Sequence, residues 1–303
     1  MKTKQMKYKK FYNDKYSVAG VIEALLLIAL VAIIISIIQL EYIPQIMEQR
    51  EAEHMDEIAN QFSQLKNIID NQALAGSMGT DVPLARVDMT SLITLGSRKL
   101  PYFITIPAYG EIKITDAEAK IHANPPINGC ISGISFSSII YHAYNMYFVE
   151  QNYILEGGGI ILKQPDGESV MRADPSISIK NMSESIEMKF YLPNIIGVDG
   201  KKYTNGYGRC FIRTNYSSYQ TYPNNKINNH GNNYIIIYSC YLNAWNESLN
   251  RLFDEEIKNG YINITITQHA GIDVVKITPL NKPIILDLIV VDIYAQIGPG
   301  WII

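Results

Sequence analysis

The sequence predicts an α+β protein, in which a long N-terminal transmembrane and stalk helix is followed by a mainly antiparallel, β-sandwich-like head. Three observations predict it: an apolar block near the N-terminus, a helix-forming stretch directly after it, and short β-type runs separated by turn residues. We expect a cytoplasmic basic leader at 1–16, a transmembrane helix at 17–40, a stalk helix at 41–73 and an extracellular head at 80–303. The chain has 303 residues, 47% of them hydrophobic, which is ample to bury a core.

The apolar block runs from Val18 to Leu40 and contains one ionisable side chain, that of Glu23. Its 23 residues, at a rise of about 1.5 Å each, give roughly 35 Å, enough to cross a hydrocarbon core of about 30 Å. A cleaved secretory signal is one alternative, but such signals have a shorter apolar region followed by small residues. A buried helix of a soluble protein is the other, and the adjacent lysines argue against it. We therefore expect a membrane helix.

The distribution of charge predicts the orientation of this helix. Residues 1–16 hold six lysines and one aspartate, a net charge of +5, whereas the other 287 residues carry −8. Because Lys-rich flanks stay on the cytoplasmic side, we expect the N-terminus inside the cell and the head outside. The whole-chain charge of −3 argues against a nucleic-acid partner, since such proteins usually carry a clustered basic face.

The stretch 45–72 has no Gly or Pro and is rich in helix-forming residues, and small and turn-forming residues predict its end near Gln72–Gly79. Pro44 predicts a kink at its start. Apolar residues recur at steps of three and four, a stripe of the coiled-coil type. Two uses of the stripe are open: packing on this protein's own head, or packing on neighbouring copies in a filament or bundle. The stripe consists of Met55, Ile58, Phe62, Leu65 and Ile69.

The head shows nine candidate strands and one candidate helix, at 244–258, which predict an antiparallel sandwich or irregular barrel. The polar, turn-rich segment 221–233 predicts a mobile loop. The candidate strands are 102–115, 135–149, 157–164, 176–192, 208–215, 233–242, 261–268, 273–278 and 283–297.

The cysteines predict no zinc site, because the three are widely spaced and no CxxC occurs. Cys210 and Cys240 both lie in candidate strands and are a possible disulfide pair, which an extracellular location permits. Buried free thiols are the alternative, and any single bridge leaves one thiol over.

The remaining motifs predict no catalytic site, no metal and no cofactor. The histidines are not at metal-ligand spacing, although His122 and His142 would approach one another if their strands paired, and no HExxH or GxSxG occurs. Gly157–Gly159 lacks the GK[ST] of a phosphate loop and is best explained as a turn or bulge. Four Asn-x-Ser/Thr sequons are candidate glycosylation sites: Asn181, Asn215, Asn246 and Asn263.

The N-terminal order of a basic leader, the apolar segment VIEALLLIALVAIII and an amphipathic continuation resembles archaeal type IV pilin-like proteins. The stretches EAEHMDEIANQFSQLKNIID, LITLGSRKLPYFITIPAYGEIKI and NMYFVEQNYILEGGGIIL are similar to a group of uncharacterised archaeal membrane-anchored envelope proteins. The resemblance implies a surface protein with a helical stem and a β-rich head, processed by a prepilin-type peptidase. An uncut anchor is the alternative.

Glu23 resembles the acidic residue near the start of mature pilins, which pairs with a neighbour's terminal amine during assembly. Together with the five stripe residues it is our candidate assembly contact. In the alternative, its carboxylate reaches the lipid headgroups near Lys15.

These observations predict a non-enzymatic, pilin-like structural protein of the cell surface that assembles through its anchor helix. Its expected partners are membrane lipid, copies of itself or other pilin-like subunits, and a prepilin-type peptidase. The main alternative is a monomeric membrane-anchored binding module that recognises a glycan or an envelope protein. An external hydrolase is a third reading.

Overall fold

The computed structural model of the protein describes residues 9–78, 87–99 and 106–298, with the backbone alone for residues 9–18. It begins with one long helix in three parts: α1 (Lys9–Ile37), a π-helical turn (Ile38–Tyr42) and α2 (Ile43–Ser77). From Ala19 onward this helix is long and apolar enough to span a membrane. A β-rich domain follows, so the α+β class is confirmed.

The π-helical turn lies where a kink was predicted. Pro44 has no N–H and therefore cannot donate the regular α-helical hydrogen bond to the carbonyl oxygen four residues earlier. One residue before it, the N–H of Ile43 donates to the carbonyl of Ile38, five residues back. This is the bonding of a π-bulge, which absorbs the proline while the helix continues through it.

The described residues contain sixteen strands and two further helices, α3 (Leu242–Leu252) and α4 (Asp254–Lys258). The strands are β1 (Met89–Thr94), β2 (Tyr109–Ile114), β3 (Ala119–Asn124), β4 (Ile134–Phe136), β5 (Ser138–Tyr144), β6 (Gln151–Glu156), β7 (Gly159–Lys163), β8 (Val170–Ala173), β9 (Ile177–Asn181), β10 (Ile186–Gly197), β11 (Tyr203–Gly206), β12 (Arg209–Ile227), β13 (Tyr234–Tyr238), β14 (Ile262–His269), β15 (Ile272–Pro279) and β16 (Ile284–Ile297).

These strands form three sheets. Sheet A has the order β1-β12-β16-β10-β9, sheet B the order β11-β2-β5-β6-β7-β8, and sheet C the order β14-β15-β13-β3-β4. Among the pairs that the structure describes, β10 and β16 are parallel and the others are antiparallel. The head is therefore mainly antiparallel, as predicted.

Helix α2 is part of the head and not a separate stalk. Its apolar stripe is buried between sheets A and B, with each side chain at most 2% exposed, and shares one core with residues of β1, β5 and β16. The ring of Phe62 lies 5.8 Å from that of Tyr153 and 6.4 Å from that of Tyr141. Of the two uses open for the stripe, packing on this protein's own head is the one observed. The assignment of Met55, Ile58, Phe62, Leu65 and Ile69 as assembly contacts is wrong, because these side chains are not accessible to another chain.

Sheet A serves a second core on its opposite face. Side chains of a strand alternate between the two faces of its sheet. In β16 the buried side chains are at even-numbered positions up to Val290 and at odd-numbered positions from Val291, so the two halves of the strand bury opposite faces. The first set packs with sheet C and α3, and the second packs with α2 and sheet B; the two sets are Ile284, Leu286, Leu288 and Val290, then Val291, Ile293, Ala295 and Ile297.

Two sequence predictions in the second half of the head need correction. Strand β12 extends to Ile227 and so occupies half of the predicted mobile loop at 221–233; its ladder with β16 resumes after a bulge, where the side chain of Asn225 donates to the carbonyl of Leu286. The predicted helix at 244–258 is divided at Phe253, whose buried ring packs in the same core as Trp245.

Glu156 connects three elements of the interior. Its carboxylate is 4% exposed and accepts hydrogen bonds from Ser138 Oγ (3.0 Å), Ser239 Oγ (2.5 Å) and Trp245 Nε1 (2.8 Å). Burial raises the pKa of this carboxyl, and the three hydrogen bonds oppose the rise. The group therefore tethers β5, the segment after β13 and α3 to the end of β6.

We expect Phe62→Ala to lower the free energy of unfolding by about 3–5 kcal/mol, because it leaves a cavity between α2 and the sheets. Gln64→Ala, on the exposed side of the same helix, is the matched control and changes little. Thermal unfolding of the detergent-solubilised chain, followed by circular dichroism, measures both. Equal midpoints for the two variants would contradict the packing described.

We expect Glu156→Gln to become more stable relative to the wild type as pH rises. The raised folded-state pKa means that the stability contributed by the protonated carboxyl is present below about pH 4.5 and is lost as pH rises through the folded-state pKa. The amide does not titrate. Melting temperatures between pH 4 and 8 measure the difference, with the exposed Glu168→Gln as control; a pH-independent difference would refute the assignment.

Candidate functional site

A pocket of about 480 Å³ lies beside the first half of α2. Three segments of the head close it: the end of β1 with the residues that follow, the residue preceding Ala108, and the turn between β11 and β12. We call it the cationic pocket, because four of its lining residues are basic: Arg50, Arg98, Lys99 and Arg209.

Helix periodicity and strand pairing bring these residues together. Arg50, Glu53, His54 and Glu57 lie at steps of three, one and three, and therefore share one face of α2. Thr94, at the end of β1, pairs with Arg209 at the start of β12. The basic residues after β1 and at the start of β12 therefore converge at one edge of sheet A, beside that helix face.

The pocket floor depends on Gly96. A Cβ at this position would lie 2.6 Å from the carbonyl oxygen of Ala108 and 2.8 Å from the Cα of Tyr207. Both are backbone atoms, so neither can move aside without shifting its segment. The absence of a side chain lets the three head segments approach one another.

The two pocket carboxylates do not neutralise the basic residues by contact. Glu57 accepts hydrogen bonds from Gln61 Nε2 (3.1 Å) and Thr94 Oγ1 (2.9 Å), and Glu53 accepts one from Gln49 Nε2 (3.0 Å). Within the ranges that the structure describes, no carboxylate lies within ion-pair distance of the four pocket cations.

His54 forms the inner wall of the pocket and is 5% exposed. Its Nε2 lies 2.9 Å from the carbonyl oxygen of Thr94, so this nitrogen carries the proton and donates. Its Nδ1 is buried and has no hydrogen-bond partner among the described residues, and the same is true of the Nε of Arg50, one turn earlier. Both atoms are enclosed by protein, on side chains one helical turn apart.

Burial lowers the pKa of His54, although the hydrogen bond to Thr94 and the charges of Glu57 and Glu51 oppose this shift. The folded protein thus favours the neutral imidazole, in which Nδ1 is a free acceptor. Tyr207, 50% exposed, lies at the mouth of the pocket, and the ammonium group of Lys99 is 5.8 Å from its ring centre.

On another face of α2, Glu51 fixes the loop between β5 and β6. Its fully buried carboxylate accepts hydrogen bonds from the backbone N–H groups of Met146 (3.1 Å), Tyr147 (2.7 Å) and Phe148 (2.7 Å). The loop presents apolar side chains to the outside, with Met146 62% and Val149 51% exposed. This half of α2 therefore has the cationic pocket on one side and an apolar loop on the other.

The other predicted residues lie outside this pocket. Glu23 is exposed on the apolar helix, and its role in assembly stays a prediction. Asn181 and Asn263 are exposed, whereas Asn215 and Asn246 are half-buried within β12 and α3; glycosylation of the four stays a prediction.

The predicted disulfide between Cys210 and Cys240 is wrong. All three cysteines are free. Cys210 is buried in the core around α2, where burial raises the pKa of its thiol to about 12, whereas Cys240 is exposed beyond the end of β13. The two belong to different sheets, so their candidate strands are not neighbours.

The histidines other than His54 do not form a metal site: no group of three metal-ligating side chains is present in the described part of the chain. His122 and His142 lie in different sheets and do not approach one another. His122 instead neighbours His269, with ring centres 6.1 Å apart, and both nitrogens of His269 bond to tyrosine hydroxyls, of Tyr234 and Tyr238.

Comparison of the chain with protein-family models, curated proteins and solved structures finds no match. The resemblance to archaeal pilin-like and envelope proteins therefore stays a prediction.

The cationic pocket is not apparent from the sequence. Its basic residues are isolated or paired in sequence and come from three separate segments. The available signal was the spacing of Arg50 and His54 on one helix face, combined with the ArgLys pair that follows the first strand of the head.

We expect the imidazole of His54 to titrate below pH 6.5, because burial disfavours its charged form. The stability contributed by the neutral ring is then present above about pH 6.5 and lost as pH falls through the lowered pKa. NMR of chain labelled at histidine measures it, with His54→Gln identifying the signal. A midpoint at or above 6.5 would exclude the buried, neutral ring.

Proposed function

We propose that this chain is a membrane-anchored surface module that binds a ligand in the cationic pocket of its head. The main support is that one continuous helix runs from the apolar segment into the head. Its first part is apolar and uncovered, and its second part is buried in the head. The binding site is thereby held at a fixed distance from the anchor.

The apolar half of the helix supports membrane anchoring. From Val21 to Ile37 its large apolar side chains are between 45% and 66% exposed. A continuous apolar surface of this length is unfavourable in water. Lipid would cover it on all sides, and the lysine-rich leader would keep the N-terminus in the cytoplasm and the head outside.

The buried stripe favours the binding module over assembly through the stalk. In a filament held together by stalk helices, the stripe would face neighbouring copies. Here the same side chains are buried in the core of their own head. The head is non-enzymatic in this proposal, and the cations and hydrogen-bonding groups of the pocket serve to hold a ligand.

A pilin-like structural protein of the archaeal envelope is the second candidate, and Glu23 favours it. This carboxylate lies within the exposed apolar helix, and a carboxylate in lipid needs a partner. A terminal amine of another subunit, exposed by a prepilin-type peptidase, would supply one.

The test uses the full chain in its own membranes. For the binding module we expect the chain to resist alkaline carbonate extraction, to keep an intact Met1 by mass spectrometry, and to migrate as a monomer after mild detergent treatment. Glu23→Gln should leave the migration unchanged, as should the control Glu41→Gln beyond the apolar block. Carbonate release would refute anchoring. A start near Val18–Val21, with filaments that Glu23→Gln abolishes, would establish the pilin-like function instead.

A further inference from the structure

A cluster of tyrosines lies at one edge of sheet B, next to the cationic pocket. Tyr109 of β2 is directly opposite Tyr144 of β5, and residues in such a pair lie on the same face of the sheet. Tyr203 begins β11, the edge strand beside β2, and Tyr207 follows the end of β11. We call these four residues the tyrosine patch.

The tyrosine patch faces away from α2. Ile112 and Tyr141 lie on the opposite face of β2 and β5, where they belong to the core around that helix. The tyrosines on the outer face are accessible, with Tyr144 40% and Tyr203 51% exposed. An exposed aromatic cluster of this kind is typical of an interaction surface.

The carboxylate of Glu111 lies among the tyrosines. It accepts a hydrogen bond from the hydroxyl of Tyr203 (3.3 Å), which in turn accepts one from Asn205 Nδ2 (2.6 Å). Desolvation, the charge of Glu111 and a hydrogen bond to it raise the pKa of the Tyr144 hydroxyl, so the same carboxylate also lies beside Tyr144. No basic side chain of the described ranges forms an ion pair with Glu111. The patch therefore offers hydrogen-bond donors and acceptors next to its aromatic rings.

Tyr207 joins the tyrosine patch to the cationic pocket, because it lines the pocket and also contacts the other tyrosines. Its ring centre lies 5.3 Å from that of Tyr109, which lies 5.8 Å from that of Tyr144. On the pocket side, the ammonium group of Lys99 lies 5.8 Å from the ring centre of Tyr207. Each of these steps is comparable with the length of one pyranose unit. The pocket and the patch thus form one continuous strip.

The charge changes along this strip, and this restricts the ligand. The chain runs from Pro107, in the pocket wall, through Tyr109 to Glu111. The four basic residues at the pocket end attract an acidic group. At the other end Glu111 repels an acidic group, whereas a neutral group with hydroxyls donates hydrogen bonds to it. The strip is therefore complementary to a ligand that is acidic at one end and rich in hydroxyls at the other.

A glycan meets these requirements better than a peptide. The C–H face of a pyranose ring packs on an aromatic ring, while the hydroxyls around its rim bond to carboxylate and amide groups. The centre of a protein–protein interface is usually depleted of charged residues. Here a carboxylate, that of Glu111, lies between the tyrosines, with the amide of Asn205 bonded to one of them.

We propose that the cationic pocket and the tyrosine patch together bind an acidic glycan. The carboxylate of one sugar binds to Arg98, Lys99 and Arg209. The neutral sugars linked to it pack on the tyrosines and donate hydrogen bonds to Glu111. This inference rests on the proposed ligand-binding function, and it adds the class of ligand and the second half of the site.

The experiment is isothermal titration calorimetry of the full chain in a detergent that has no sugar headgroup. The mixed probes are sialyllactose and a hyaluronan tetrasaccharide, in which acidic sugars are linked to neutral ones. Their neutral counterparts are lactose and the carboxyl-reduced tetrasaccharide, and their acidic sugars alone are N-acetylneuraminate and glucuronate. We expect at least one mixed probe to bind about tenfold or more tightly than its neutral counterpart and than its acidic sugar alone, because only the mixed probe engages both halves of the strip.

Two double variants test the two halves separately. Arg98→Gln with Arg209→Gln should abolish the advantage of the mixed probe over its neutral counterpart. Tyr144→Ala with Tyr203→Ala should weaken the mixed probe about tenfold, towards the affinity of the acidic sugar alone, because the packing surface for the neutral sugars is lost.

Each variant has a matched control outside the strip. Arg172→Gln with Arg213→Gln removes the same charge from β8 and β12, and Tyr219→Ala with Tyr294→Ala removes two exposed tyrosines from sheet A. Both controls should bind the mixed probe as the wild type does. Circular dichroism confirms that each variant is folded.

The proposal is overturned if the wild type binds neither mixed probe, or binds them no more tightly than their neutral counterparts. An equal loss in the controls would also overturn it, since it would show a general effect of charge or surface. A pentaglutamate peptide that binds as tightly, with the same sensitivity to the variants, would assign the strip to an acidic protein partner instead.

Inorganic phosphate separates the failure of this inference from the failure of the proposed function. Phosphate binding that depends on Arg98 and Arg209, without binding of any glycan, would keep the pocket as a ligand site and refute the acidic glycan. The absence of binding by every probe would count against both. Carbonate extraction tests the anchoring independently of these results.

Discussion

The burial of one face of α2 between two sheets is the interaction on which the rest of the structure depends. Each large apolar side chain of the stripe contributes roughly 1.5–3 kcal/mol by leaving water, and all five contact the head's own core. Because α2 continues from the apolar helix through a π-helical turn, this packing also joins the apolar helix to the head. Of the two arrangements that the sequence left open for this stripe, packing on the protein's own head is the one that organises the fold.

Polar groups on the other faces of the same helix bind neighbouring loops of the head and line the cationic pocket. Glu51 binds the backbone of the β5–β6 loop, Lys66 donates to the carbonyl of Gly158 at 2.6 Å, and Arg50 and His54 line the cationic pocket. A helix read as amphipathic, with one apolar and one solvated side, in fact contacts protein on several sides. Such burial of charged groups is tolerated because each is hydrogen-bonded, as the carboxylate of Glu51 and the ammonium group of Lys66 are.

Much of the fold could be predicted from local sequence, and the errors have definable causes. Strands with regular alternation, such as Ile262–His269, were found within a residue. Ala119–Asn124 was missed because its buried residues include small alanines, and the polar end of β12 was missed because pairing with β16, and not its own composition, makes it a strand. The predicted disulfide was wrong because the candidate strands of Cys210 and Cys240 belong to different sheets.

The sequence by itself determined the elements whose physics is local: the apolar helix by its length, the end of α2 by its small residues, and the β-rich head by alternation and turns. Tertiary structure alone decided which surface the stripe covers, since an apolar face can be buried by its own chain or by another. It also decided where the basic residues meet, because Arg50, Arg98 and Arg209 are far apart in the chain and become neighbours only through the pairing of β1 with β12 beside α2.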